Sequence, residues 1–232
     1  MGEIAYSEIA AAAERLCIRA RTWFPPDIVM GIECAADSEA DESVRLELVN
    51  LLERTQTVTQ ENRDIGTPVL FADVGEAVTI LDGTIETALQ AGIGYAIEPT
   101  LHIRQVPGGQ IALKVMFHTA QRIESNTVID PAELADFAIS AVRRAEIAVH
   151  APVIVGIGLG NTLAESASLA DYALARPIDR RNPNPVCAEA EWQIRTATGA
   201  LAVNLEGQIN SAGNACTLYI SPPHLRRASC VI

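Results

Sequence analysis

Aromatic rings, lysine, paired cysteines and long apolar runs are all scarce in this chain. Only 4% of its residues are aromatic, against 49% hydrophobic overall, so the core must be built from Ala, Val, Ile and Leu. That aliphatic content suffices for a sizeable core and excludes disorder. Uninterrupted apolar stretches such as Pro152 to Ile157 fall far short of the ~20 residues a membrane span needs. The first residues are acidic and lack a basic n-region, so no signal peptide is expected and the chain reads as soluble and cytoplasmic, with no membrane partner. Its five cysteines (Cys17, Cys34, Cys187, Cys216 and Cys230) are odd in number and form no CxxC pair. This excludes a disulfide framework and a zinc knuckle. The four histidines (His102, His118, His150 and His224) make neither H-x-x-x-H nor HExxH, so no metal held by the protein is expected. Lysine is nearly missing: of 17 basic residues only Lys114 is one. Against 29 acids the net charge is −12, which repels phosphate backbones and excludes general nucleic-acid binding.

What is present reads as a single α/β domain over residues 1–232, with a helical N-terminal region to about 58 and a sheet-containing core from about 66. Ile4, Ile9, Ala12, Ala13 and Leu16 recur at helical spacing. Pro25-Pro26 opens a second helix at Asp27, and Glu42 to Thr57 carries a third stripe. Val69 to Val74 reads as a strand and Gly83 to Gln90 as a short helix. Leu101, Ile103 and Val106 are then matched by Ile111, Leu113, Val115 and Phe117 across Pro107-Gly108-Gly109, which predicts a β-hairpin. Period two places His102, Arg104, Ala112, Lys114, Met116 and His118 on the opposite face. That second face is not apolar, so it is either solvated or lines a cavity. Asp130-Pro131 caps a helix running to about Val149. Pro152 to Ile157 is a buried strand that feeds Gly156-Ile-Gly-Leu-Gly-Asn-Thr162 and a helix from Leu163 to Arg176. A helix through Trp192 and strands at Leu201 to Glu206 and Ala215 to Ile220 complete the mixed sheet.

Three places could carry chemistry. The strand–glycine–helix unit ending at Gly160, Asn161 and Thr162 offers free helix N-terminal amides to a carboxylate or phosphate, or is simply a tight turn. It departs from the G-x-G-x-x-G dinucleotide fingerprint and lacks a P-loop lysine. Asp64, before Gly66-Thr67-Pro68, is either a turn acceptor or a general acid or base at a sheet edge. His102, Arg104, Lys114 and His118 on one strand face form a candidate polar pocket.

Several of these stretches, in this order, resemble the class I (iron–sulfur) fumarate hydratases and the alpha subunits of tartrate dehydratase. Asp64-Ile-Gly-Thr-Pro-Val69 resembles the family's Q-D-T-G-T segment. Ala151-Pro-Val-Ile-Val-Gly-Ile-Gly-Leu-Gly-Asn-Thr162 is similar to its P-P-x-I-V-G-V-G-I-G-G-T. Phe24-Pro-Pro-Asp27, Ala173-Leu-Ala-Arg-Pro177, Asn182-Pro-Asn-Pro185 and Pro223-His224 fit the surrounding pattern. The resemblance implies a fumarase alpha-domain-like fold and a homodimer. It also implies a proton-transfer role for Asp64, a substrate contact for His224 and, more distantly, a role for His118 where the family places a lysine. The family holds a [4Fe–4S] cluster on three cysteines. The matching positions here are Asn62, His150 and a position beyond Ile232, so no cofactor is expected. The family's K-G-G-G-S-E-N segment is replaced by residues near Phe117 to Gln121, and its second domain is not found.

These readings combine into an expected function. The chain is expected to be a cofactor-independent lyase or cyclase, catalysing dehydration or conjugate addition beside an activated carbonyl of a small-molecule substrate. Asp64, His224 and His118 would be its catalytic groups. Lys114, His102, Arg104, Gly160, Asn161 and Thr162 would bind substrate. The nearly lysine-free composition suits a GC-rich bacterium and specialised-metabolite chemistry. The alternatives are a non-catalytic subunit or scaffold and an iron–sulfur hydratase alpha subunit.

Overall fold

Small residues decide how closely the elements pack. A computed structural model of the chain describes residues 2–57, 67–94, 98–117, 121–128, 130–145, 153–210, 212–222 and 225–232. These group into two compact units, Met1–Pro25 with Val58–Thr119 and Leu225–Ile232, and Pro26–Thr57 with Ala120–His224. The expected helical N-terminal region is therefore divided. Helix α1 (Tyr6–Thr22) belongs to the first unit, whereas α2 (Pro26–Ser38) and α3 (Glu42–Thr57) belong to the second.

In the first unit, β1 (Gly2–Ala5) and β3 (Val78–Leu81) pair in parallel. A four-stranded mixed sheet is built from β2 (Pro68–Gly75), β4 (Thr100–Val106), β5 (Ile111–Phe117) and β10 (Arg226–Val231), in the order β10-β5-β2-β4. One face of this sheet carries Leu70, Ala72, Val74, Leu113, Val115 and Phe117. It packs against Ile9, Ala13 and Leu16 of α1 and against Ala88 and Leu89 of α4 (Ile85–Ile93). Thr84 starts α4 by accepting the Thr87 N–H at 3.3 Å.

The expected hairpin needs correction. β4 and β5 are joined by the predicted glycine turn and present the predicted faces, but they do not pair with each other. β2 lies between them, parallel to β4 and antiparallel to β5. The end of β2 is gripped by the turn: the N–H groups of Gly75, Glu76 and Ala77 donate to the carbonyls of Gln110, Val106 and Gly108, each at 2.9 Å. A Cβ at Gly75 would lie 2.6 Å from the Gly108 oxygen, so only glycine fits there. The physical reason for the insertion is burial. β2 is nearly all apolar and buried on both faces, as a central strand is, and it must be flanked on both edges.

The second unit holds β6 (Gln121–Val128), β7 (Ile154–Gly160), β8 (Ala202–Gly207) and β9 (Asn214–Ser221) in the order β6-β9-β7-β8. β7 is parallel to β8 and antiparallel to β9. α5 (Pro131–Arg144) starts at the predicted Asp130 cap, which accepts the Glu133 N–H at 2.9 Å. It ends before the expected Val149, which lies outside the described residues. α6 (Leu163–Ala175) and α7 (Pro185–Thr198) follow β7. Period two divides β7 sharply. Val155, Ile157 and Leu159 join the core formed with α5 and α7. Gly156, Gly158 and Gly160 lie against α6 instead. A Cβ on Gly158 would sit 1.9 Å from the Ser166 carbonyl oxygen and 2.4 Å from the Ala170 nitrogen, so helix backbone rests directly on strand backbone.

Gly158→Ala is therefore expected to destabilise the chain by about 3 kcal/mol, since neither backbone can move aside. Gly109→Ala, where an added Cβ meets nothing within 4 Å, should stay within about 0.5 kcal/mol of the parent. Denaturant unfolding of both variants tests this, and equal midpoints would contradict the packing described.

Candidate functional site

Strand register collects the polar residues of the first unit into rows. Across β5, β2 and β4, Lys114, Phe71 and His102 form one row, and Ala112, Asp73 and Arg104 form the next on the same face. β10 extends the face with Ser229 beside Lys114 and Arg227 beside Met116. Lys114 and His102 thus flank Phe71, two strand spacings or about 9–10 Å apart along the sheet. Phe71 and Met116 are buried, and Lys114 and His102 are half-buried. The imidazole of His102 stacks on the Phe71 ring with centroids 5.2 Å apart. Arg104 grips Asp73 through two bonds, Nε to Oδ1 at 2.5 Å and Nη2 to Oδ2 at 3.0 Å. A two-pronged pair of this kind holds the guanidinium in one plane. The structure therefore places Lys114, His102 and Arg104 together on the face that period two assigned them.

One end of the same sheet is cationic and aromatic. Pro68, Phe117 and Arg226 stand in one row. Arg226 is buried, donates to the Arg21 carbonyl, and lies over the Phe24 ring at 5.6 Å. Burial pushes its pKa down from the ordinary arginine value. Arg21 in turn lies over Phe117 at 5.3 Å. Asp64, His118 and His224 lie outside the described residues. In sequence they are four positions before Pro68, one after Phe117 and two before Arg226.

Gly160, Asn161 and Thr162 belong to the second unit and start α6. The Thr162 hydroxyl accepts the Glu165 N–H at 3.1 Å, and the Glu165 carboxylate accepts the Asn161 N–H at 2.7 Å. The anion at this helix start is the chain's own. Downstream, the Arg176 and Asn182 segments meet in a buried network. Oε1 of Glu191 accepts from Arg176 Nη2, from Asn182 Nδ2 at 3.0 Å and from the Leu205 N–H at 2.7 Å. Asn204 donates to the carbonyls of Ala173 and Arg176 at 3.0 and 3.1 Å. The end of α6, the middle of α7 and β8 are thereby tied at one carboxylate.

Sequence reasoning missed Asp73, Arg226 and Arg227. A signal for the last two exists in the tail. Ala228, Cys230 and Ile232 alternate with Arg227, Ser229 and Val231, which is the period of a strand.

A family model described as fumarate hydratase (Fumerase) matches residues 10–106 and 97–208. The L(+)-tartrate dehydratase subunit alpha of Escherichia coli (strain K12) is 36% identical over 63 residues, covering 26% of this chain and 21% of that protein. Proteins of the same name from Shigella boydii serotype 4 (strain Sb227) and Shigella sonnei (strain Ss046) match to the same extent. The aligned stretch spans about a fifth of the length of these relatives.

The cluster implied by the resemblance requires three gathered thiolates. Among the described residues, no three His, Cys, Asp or Glu side chains come together as a metal site. Burial pushes Cys17 up to about 11 and Cys216 up to about 12, and it raises Cys187 as well. Only Cys34 is exposed, and Cys230 is half-buried. These cysteines do not fit the family's cluster.

Raised thiol pKa values mean that the folded chain prefers the protonated form. The unfolded chain ionises first, so this contribution to stability is intact below pH 9 and is lost as pH rises towards about 12. At pH 8 a disulfide exchange reagent should label Cys34 quickly and Cys230 slowly. Cys17, Cys187 and Cys216 should react only after denaturation, as followed by mass spectrometry. Rapid labelling of Cys216 in the native chain would contradict its burial.

Proposed function

The chain belongs to the fumarate hydratase family, and from that premise we propose that it is a hydro-lyase-type enzyme working on the polar face of the first unit's sheet. One observation supports the reading: β2 begins at Pro68 and β5 ends at Phe117, at one end of this sheet. In sequence Asp64 is four positions before Pro68 and His118 one after Phe117, and the resemblance supports both as proton-transfer groups.

The chemistry follows from what an elimination needs. A base takes the proton from the carbon beside a carbonyl, the carbon–oxygen bond on the next carbon breaks, and an acid protonates the departing hydroxide to water. In this proposal Asp64 is the acid or base, and His118 and His224 orient or protonate. Lys114 holds the carbonyl or carboxylate of the substrate, His102 braces that pocket through Phe71, and Arg104 fixes its far side through Asp73. Arg227, beside Met116 on this face, adds positive charge that favours an anionic substrate. An activated carbonyl, such as a β-dicarbonyl, makes the carbon acid strong enough for side chains alone. Addition of an internal nucleophile in the reverse sense gives cyclisation, which suits a biosynthetic role in specialised metabolism. Gly160, Asn161 and Thr162 are left as the start of α6. The relatives are named as alpha subunits, which supports assembly with another chain; we assign a homodimer.

Metabolite profiling of the native host tests this, comparing chromosomal Asp64→Asn with a clean deletion and the parent. Mutant and deletion are expected to accumulate the same precursor, heavier than the product by one water or isomeric with it. Purified Asp64→Asn should keep the parent's melting curve and lose at least a hundredfold in rate, the usual size of an acid–base contribution. A changed profile in the deletion alone would replace the enzyme by a scaffold.

A further inference from the structure

We propose that the second unit carries a binding site for a small aromatic phosphate, a ligand of the mononucleotide class, in the cleft between α7, β8 and the loop of residues 178–181. The cleft has a volume of about 760 Å³ and is built wholly from residues of that unit. Small-molecule sites run from ~300 to 1,000 Å³, so the size suits a ligand larger than a lone inorganic anion.

Three arginines and three acids line it, and one of the acids, Glu191, is already engaged by Arg176. Arg180 and Arg181 line the cleft from the loop and Arg195 lines it from α7, in a protein of net charge −12. None of the three has an ion-pair partner among the described residues. Three guanidinium groups that no carboxylate of the described residues holds are available to a bound phosphate. Their planar forks match phosphate oxygens two at a time. Asp179 and Glu189 also line the cleft, and Glu189 accepts from Gln193 at 3.1 Å. Such acceptors suit the hydroxyl groups of a sugar.

The aromatic requirement comes from Trp192. It precedes Arg195 by one helical turn on the same face of α7, and 61% of its surface is exposed. A bare phosphate or carboxylate would satisfy the arginines and leave this indole in water. A ring stacked on it uses both features. The floor is already rigid, because Glu191 and Asn204 are locked by their bonds to Arg176. A ligand therefore meets a formed surface.

The test uses tryptophan fluorescence. Trp23 and Trp192 are the chain's two tryptophans, so Trp23→Phe leaves Trp192 as the sole reporter. Adenosine 5′-monophosphate should quench it saturably, with adenosine and inorganic phosphate each binding at least ~tenfold more weakly. Arg181→Gln and Arg195→Gln should each weaken the nucleotide about tenfold while leaving the circular-dichroism melt unchanged, since both residues are exposed. Calorimetric titration of the parent chain provides a readout independent of the Trp23 change. The proposal is overturned if the nucleotide does not bind saturably, if adenosine binds as well as its phosphate, or if the arginine variants bind unchanged. Binding of a polyglutamate peptide in place of the nucleotide would also overturn it, and would make the cleft a docking surface for an acidic protein.

Discussion

Direct contact between the backbones of α6 and β7 is the constraint around which the second unit is organised. Glycine at every second position of β7 removes the side chains from one face, and the helix settles where they would have been. Val155, Ile157 and Leu159 fill the other face, so one strand serves two helical layers. Once α6 is placed, its two ends are fixed by polar bonds. Glu165 and Thr162 hold the start, and the Arg176–Glu191 network holds the finish to α7 and β8. Removing either partner of such a buried pair leaves an uncompensated charge, typically costing 3–5 kcal/mol. The most recognisable motif in the sequence is thus a packing device.

The first unit solves a different problem. Its sheet must hide β2 completely, and both neighbouring strands are needed to do so. α1 and α4 cover one face with alanine, leucine and isoleucine. The other face keeps a lysine, a histidine and an arginine–aspartate pair around two buried apolar side chains. Half-burial of polar groups costs free energy unless they are engaged; here His102 stacks on Phe71 and Arg104 pairs with Asp73.

Much of this was legible in the sequence. The starts of α5 after Asp130 and of α6 at Leu163 were legible, because caps are local and their partners lie within one turn. The faces of β4 and β5 followed from period two. Pairing partners did not, because β2 enters from some thirty positions upstream and no short-range pattern records that insertion. The tail strand β10 was hidden by its arginines, although its alternation was there. The Gly156–Thr162 segment was ambiguous for a physical reason: glycine allows a ligand or a helix to approach equally well, and only the position of α6 distinguishes them. Asp64 and His118 rest on the resemblance and on their sequence distance from one end of the sheet, and His224 rests on the resemblance.

The central claim is that the polar sheet face binds a carbonyl or carboxylate through Lys114. Because the chain has a single lysine, ¹³C-lysine labelling gives a single side-chain signal set, and its nuclear magnetic resonance reports that face alone. Titration with fumarate, L-tartrate and acetoacetate should move the Lys114 Cε resonance saturably for at least one of the three, and His102→Leu should weaken that ligand. A Lys114 signal unmoved by all three at millimolar concentration would contradict the account.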